Sequence, residues 1–293
     1  MNDLYHIDKT RVRASFDRAA TSYDAAAVLQ KEVRTRMLAR LDLVKLAPAL
    51  IVDAGCGTGH ASHALAERFS AARVVSLDIA LGMLRMTRAT QHGLLPRLAR
   101  WFGLDRQQLL CADIERLPLA PASVDLLWSN LALQWCNELD LAFAEAQRVL
   151  QPGGLFMFST LGPDTLKELR AAAGSDHVHV SRFIDMHDIG DALVRAGFSA
   201  PVLDVERFTL TYDDALSVMR DLKAIGAHNA AAGRPRGLGG RGFLRHLVEG
   251  YEPFRQQGKL PATYEVVYGH AWKAESAPRN ADGSVPVHFH KRA

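Results

Sequence analysis

No lysine occurs between Lys45 and Lys167, so the glycine-rich stretch that lies between them cannot finish as the G-K-[ST] of a phosphate loop. No apolar run approaches the roughly 18 residues that a membrane span requires. The opening "MNDLYHIDKT" also lacks the apolar centre of a secretion signal. No membrane association is expected, and the expected compartment is the cytoplasm. Cysteine is scarce. Cys56, Cys111 and Cys136 form neither an even framework nor a C-x-x-C pair, so they read as reduced thiols used as small apolar side chains. A large excess of one charge is absent too: 35 Lys and Arg stand against 32 Asp and Glu, and a net charge of +3 gives no argument for nucleic acid. What remains is an ordinary globular composition, 48% hydrophobic and 23% charged, over 293 residues that suffice for a full core.

From Asp8 to Arg40 there is neither glycine nor proline, and Phe16, Tyr23, Leu29, Val33 and Met37 recur at helix-like intervals. The spacing predicts one or two amphipathic helices, broken near Thr21-Ser22, with the Ser22 hydroxyl capping the second. After Pro48 the rhythm changes to short apolar runs separated by helical stretches: "ALIVDAG" (49–55), "ARVVSLDI" (72–79), "QQLLCADI" (107–114), "SVDLLWSN" (123–130) and "GLFMFST" (154–160). Runs that are apolar on both faces and spaced by helices read as parallel strands of an α/β sheet. A sixth strand is expected at 201–210, after the helix "DIGDALVRAGF" with Gly197 as its cap, and a seventh at 262–272. Between them, residues 213–258 read as a helical insertion whose two helices are joined by "GRPRGLGGRG". The chain is therefore expected to divide into an N-terminal helical segment (1–47), a core (48–212 and 259–273), the insertion (213–258) and a polar, poorly ordered tail (274–293). His288 and His290 in that tail read as solvated, and no metal is expected.

The stretch "VDAGCGTGH" (52–60) poses the functional question. A dinucleotide site would place its third glycine where His60 stands. Asp53 ends the first strand before Gly55, Gly57 and Gly59, whose missing Cβ atoms let the backbone turn tightly and approach a ligand. Asp78 closes the second strand 25 residues later, where a carboxylate grips vicinal ribose hydroxyls. Asp113, in "CADIE", closes the third and can accept from an exocyclic adenine amine. Each acid also reads as a plain strand-end turn or helix cap. Acidic groups without a phosphate-binding lysine suit an adenosine attached to a cation better than a pyrophosphate.

In this order, followed by "LWSNLALQW" on the fourth strand and "QPGG" before the fifth, these elements resemble the class I S-adenosylmethionine (SAM) methyltransferases. The resemblance implies an α/β, Rossmann-like, seven-stranded and mostly parallel sheet with helices on both faces, an N-terminal helical lid and a helical insertion between strands 6 and 7. It implies SAM as cofactor, with no metal, held by Asp53, Gly55, Cys56, Gly57, Gly59, Asp78, Ile79, Asp113, Ile114 and Asn130, and with Tyr23 of the lid over the donor. Phe16, Trp128 and Trp135 read as packing rather than ligand contacts.

"FDRAATSYDAAAVLQ", "DIERLPL", "WSNLALQWC" and "DDALSVMRDLKAIGA" are together similar to the malonyl-[acyl-carrier protein] O-methyltransferases of biotin synthesis, over about residues 13–272. That family methylates the free carboxyl of a malonyl thioester, disguising it for elongation toward pimelate. The longer segment 90–108 and the polar tail depart from the family pattern. A carboxylate acceptor is already ionised, so no general base is expected; it does need a cation to align it. Arg182 in "VSRFID" and Lys223 in "RDLKAIGA" are the candidates, each reading equally as a solvated surface charge. The implied partner is an acidic acyl carrier protein. It would meet a basic face at Arg234, Arg236, Arg241 and Arg245, or the arginine-rich stretch 85–106; no nucleic acid or membrane partner is expected. Two alternatives stay open: methylation of a free small acid, of the trans-aconitate type, and a SAM-binding respiratory-complex assembly factor with arginine hydroxylase activity.

Overall fold

The structure, a computed structural model, describes residues 6–90, 107–174, 183–227 and 241–275. At its centre lie seven strands: β1 (Leu50–Ala54), β2 (Arg73–Asp78), β3 (Gln107–Cys111), β4 (Val124–Asn130), β5 (Leu150–Leu161), β6 (Phe198–Tyr212) and β7 (Leu260–Lys273). Their spatial order is β3-β2-β1-β4-β5-β7-β6. Every neighbouring pair through β5 is parallel, while β7 runs antiparallel between β5 and β6. The sheet is thus mostly parallel, as the strand pattern predicts. The strands run longer than the apolar runs suggest where β6 and β7 pair from Phe198↔Lys273 to Tyr212↔Leu260. Cross-strand hydrogen bonding there carries polar residues such as Glu206 and Arg207 into the ladder, which hydropathy alone does not reveal.

The central strands are apolar on both faces because helices cover both. One apolar cluster joins Leu126, Trp128 and Val266 to Val33 and Met37 of α3 (Val28–Arg40). Another, on the opposite face, joins Val52, Leu127 and Phe156 to Phe143 of α6 (Leu139–Val149) and Leu193 of α8 (Met186–Arg195). Gly197 follows α8 with φ +88°, the left-handed turn that a helix-ending glycine supplies.

The N-terminal region departs from expectation in two details. It holds three helical pieces, α1 (Lys9–Ala19), the single turn α2 (Tyr23–Ala26) and α3. Ser22 stands before α2, but its hydroxyl donates back to the Ala19 carbonyl at 3.2 Å and caps nothing. A serine that bonds the turn behind it is unavailable to the amides ahead. The caps fall elsewhere: Asp8 accepts from Thr10 and Arg11 at the start of α1, and Asp214 accepts from Ser217 at the start of α9 (Ala215–Ala224). The insertion between β6 and β7 contains α9 and α10 (Arg241–Tyr251). The joint at 228–240 and the tail from 276 lie outside the described residues. Among the described residues, no helix is long and apolar enough to cross a membrane.

Candidate active site

Strand order reverses between β1 and β4, and a crevice opens beyond the carboxyl ends of strands at such a point. Chain chemistry collects there. After β1 the loop turns back on β2, with the Gly55 and Cys56 amides both donating to the Leu77 carbonyl, at 2.7 and 2.9 Å. Gly55, Gly57 and Gly59 all have positive φ, at +79°, +55° and +86°. They serve different ends. A Cβ on Gly55 would lie 2.3 Å from the Ala132 Cβ, and one on Gly59 would lie 2.4 Å from the Thr87 Cγ2. One on Gly57 would project toward Tyr23 at 4.0 Å, into the cleft itself. Gly59, expected in the cradle, lines neither of the two cavities that Gly55 and Gly57 line; close packing against α5 (Leu81–Thr90) explains it instead.

Asp53 is 1% exposed. Its Oδ2 accepts from the Ser62 hydroxyl at 2.6 Å, and its Oδ1 has no hydrogen-bond partner among the described residues. Burial pushes its pKa up to about 7, the Ser62 bond opposing and the nearby Asp78 adding. Asp53 lines a polar cavity, and a buried carboxylate oxygen without a donor there is a place for a cation. Asp78 organises the loop: it accepts from the Gly57 amide at 2.9 Å and from the Ala80 amide at 2.8 Å. Burial nonetheless raises its pKa to about 6. Two accepted bonds leave a carboxylate with further lone pairs free to accept, and Asp78 lines the cleft.

Asp113 is engaged in a way the sequence reading misses. Lys9, from α1, lies 3.1 Å from its Oδ1 and also pairs with Glu115. The Glu115 amide donates to the same oxygen at 3.1 Å. The N-terminal helix is therefore tied to the end of β3 through a cation at the ninth residue, which no local motif announces. Asn130, at the end of β4, donates to the Gln30 carbonyl and accepts from the Ser159 hydroxyl.

Three cavities meet at Tyr23. One is bounded by Asp78, Ile79, Asp113, Ile114, Met83 and Lys9, a mixed acidic and apolar surface. A second, polar, runs between Asp53, Cys56 and Thr58 on one side and Gln30, Lys31 and Arg34 on the other. The third, about 540 Å³, is apolar: Leu29, Leu161, Leu166, Leu169, Phe183 and Leu222 lie along it, with Arg220 and Lys223 among its few charged groups. Tyr23 lines all three, and burial raises its hydroxyl pKa far above the ordinary value. Cys56 is buried, its thiol pKa likewise raised by burial, and acts as wall rather than nucleophile.

The aromatics divide. Trp128 is fully buried core. Phe16 and Trp135, read as packing, instead line both the first and the third cavity, their rings edge-to-face at 5.3 Å and 89°. Packing and lining are the same act here, because the pair forms the wall between two spaces. The seven-residue interval from Phe16 to Tyr23 is the signal that could have found Phe16. Arg182, Arg234 and Arg236 lie outside the described residues, as does the side chain of Arg241; Arg245 is exposed on α10.

A glycine loop after β1, acids closing β2 and β3, and a seventh strand inserted antiparallel define a SAM-dependent class I methyltransferase. The "Methyltransferase domain" family model matches residues 52–158. A putative methyltransferase from Bacillus halodurans C-125 shares the fold at a TM-score of 0.56 and 16% identity, over 82% of this chain and 98% of its own. Relatives sharpen the class. The malonyl-[acyl-carrier protein] O-methyltransferase of Methylovorus sp. is 69% identical over 99% of this chain and 98% of its own length. That of Laribacter hongkongensis is 57% identical over 100% and 99%. The chain belongs to the malonyl-[acyl-carrier protein] O-methyltransferase family.

Proposed function

We propose that the protein methylates the free carboxylate of a malonyl group carried as a thioester on acyl carrier protein, an early step toward pimelate and biotin. The observation that carries this reading is the third cavity. Among its described lining residues there is no carboxylate, imidazole or thiol, while Arg220 and Lys223 bring positive charge. An alcohol or amine acceptor wants a base beside it; a carboxylate, with a pKa near 4, is ionised about a thousandfold at neutral pH and wants only a cation and alignment.

SAM, when bound, supplies an electrophilic methyl group: a carboxylate oxygen forms the new C–O bond as the C–S bond breaks and its electron pair returns to sulfur. In this reading the Asp53 Oδ1 receives the ammonium of the amino-acid end and Asp78 the ribose hydroxyls. The free Asp113 oxygen receives the adenine amine between Ile79 and Ile114. The helices α1–α3 act as the lid, held down by Lys9 on Asp113 and by Asp24, which accepts from the Thr58 hydroxyl at 2.6 Å. The insertion acts as the substrate cap. Arg220 and Lys223 lie three apart on α9, so they share a face. Arg220 is partly committed, donating to the Ser217 hydroxyl at 2.9 Å, whereas Lys223 has no ion pair among the described residues. Lys223 is therefore the main carboxylate clamp, with Arg220 beside it and Arg182 the further candidate.

Two results are expected. At saturating SAM, kcat/KM for the malonyl substrate stays flat from about pH 6 to about pH 8, because the nucleophile is already ionised throughout. A steep rise through neutrality would point to a hydroxyl or amine acceptor. Clamping and docking also separate. Lys223→Ala lowers kcat/KM on free and carrier-bound malonyl substrates alike, by roughly 10- to 100-fold. Charge reversal at Arg234, Arg236 and Arg241 slows only the carrier-bound substrate, and does so less as salt rises. Equal slowing of both substrates by the reversals would remove the docking reading.

A further inference from the structure

Arg34 is a half-buried guanidinium with no hydrogen bond or ion pair among the described residues. Its neighbours on α3 behave otherwise: Arg36 pairs with Glu32 and Glu206, and Arg40 with Asp204 and Glu206. The difference is one of facing. Leu29, Val33 and Met37 anchor the helix in the core. Ala27, Gln30, Lys31 and Arg34, at intervals of three, four and seven, turn toward the glycine loop and line the polar cavity. Across that cavity stands Asp53, whose Oδ1 is equally without a partner. The two are not within ion-pair distance of each other. Asp24, the other nearby acid, is already engaged by Thr58 and by His60 at 3.2 Å.

Leaving a guanidinium half-desolvated and unpaired is costly, and so is a buried carboxylate oxygen with no donor. Both costs vanish if one ligand carries a positive and a negative group on neighbouring atoms. An α-amino acid does. We infer that Arg34 binds the carboxylate of the amino-acid end of SAM while Asp53 binds its ammonium. The inference rests on the donor site proposed above and adds a residue and a selectivity to it. Two fixed points on the amino-acid chain leave little freedom for the sulfonium that follows it, so Arg34 is a positioning residue for the methyl group as well as a source of affinity. A planar fork matches a carboxylate in two parallel bonds, which an exposed lysine such as Lys31 does not. The pair also makes the site discriminate. Adenosyl compounds without the carboxylate lose the Arg34 contact and leave its charge unpaired.

Calorimetric titration of the full-length protein with SAM and with decarboxylated SAM tests this without any turnover. Wild type is expected to prefer SAM by roughly 10- to 100-fold, the range for a charge-assisted pair. Arg34→Met should lose that factor for SAM and leave decarboxylated SAM unchanged within about twofold, erasing the preference. Arg34→Lys, which keeps charge and stem but not the fork, should retain part of the preference, and it supplies the same comparison should Arg34→Met not fold. Lys31→Met should change neither affinity materially. Equal weakening of both ligands in the Arg34 variants, no weakening of either, or loss of the preference in Lys31→Met would each overturn the assignment. A wild-type protein that binds neither ligand would instead remove the donor site itself.

Discussion

Replacing Asp78 with alanine lowers the affinity for SAM by about 100-fold, the value of two charge-assisted bonds to vicinal hydroxyls at somewhat over 1 kcal/mol each. The effect has a second source. Asp78 accepts from the Gly57 and Ala80 amides, so its carboxylate holds the floor of the cleft and the turn into α5 as well as the ribose. Asp78→Asn separates the two roles, since an amide oxygen still accepts one backbone bond but carries no charge. Calorimetry on the folded variants, checked by thermal melting against wild type, reads both losses. Unchanged affinity in a folded Asp78→Ala protein would contradict the assignment.

SAM affinity is also expected to fall between about pH 7.5 and about pH 5.5, by about 20-fold through Asp53 alone. Its pKa in the folded, ligand-free protein is raised by burial from 3.8 to about 7. The sign follows from proton counting. Between those two values the folded protein keeps a proton that the unfolded chain has released, so this group's contribution to stability is fully present below the unfolded pKa and declines as pH rises to about 7. Cation binding runs the other way: the ammonium needs ionised Asp53, so affinity climbs with pH through 7 and levels above it. Asp78, at about 6, adds a smaller loss lower on the scale. In Asp53→Asn the affinity is lower everywhere, and the dependence that remains shifts to the more acid range of Asp78. A wild-type affinity flat across this range would remove Asp53 from the ammonium site.

Much of this was legible in the chain because parallel strands leave their ends on one edge of the sheet. The glycine loop, Asp78, Asp113 and Asn130 come to one crevice simply by closing successive strands, and a one-dimensional pattern suffices to bring them there. Residues arriving from elsewhere were not legible. Lys9 reaches Asp113 across more than a hundred residues, and Arg34 differs from Arg36 only by the face of a helix it occupies. Gly59 and Gly57 look alike in sequence, yet one is fixed by Thr87 and the other by the open cleft. Phe16 and Trp135 read as packing from the sequence; an aromatic wall between two cavities satisfies the same hydrophobic drive. Ser22 had the right type for a cap but found the Ala19 carbonyl first.

The central claim is that this chain esterifies the carboxylate of a carrier-bound malonyl group. Incubation with SAM labelled in its methyl group and malonyl-acyl carrier protein, followed by mild base, tests it most directly. Label is expected on the carrier protein, incorporated faster than into a free malonyl thioester and released by base as methanol, with no label when acetyl replaces malonyl. Label that resists base, or label that appears equally on the acetyl form, would contradict it.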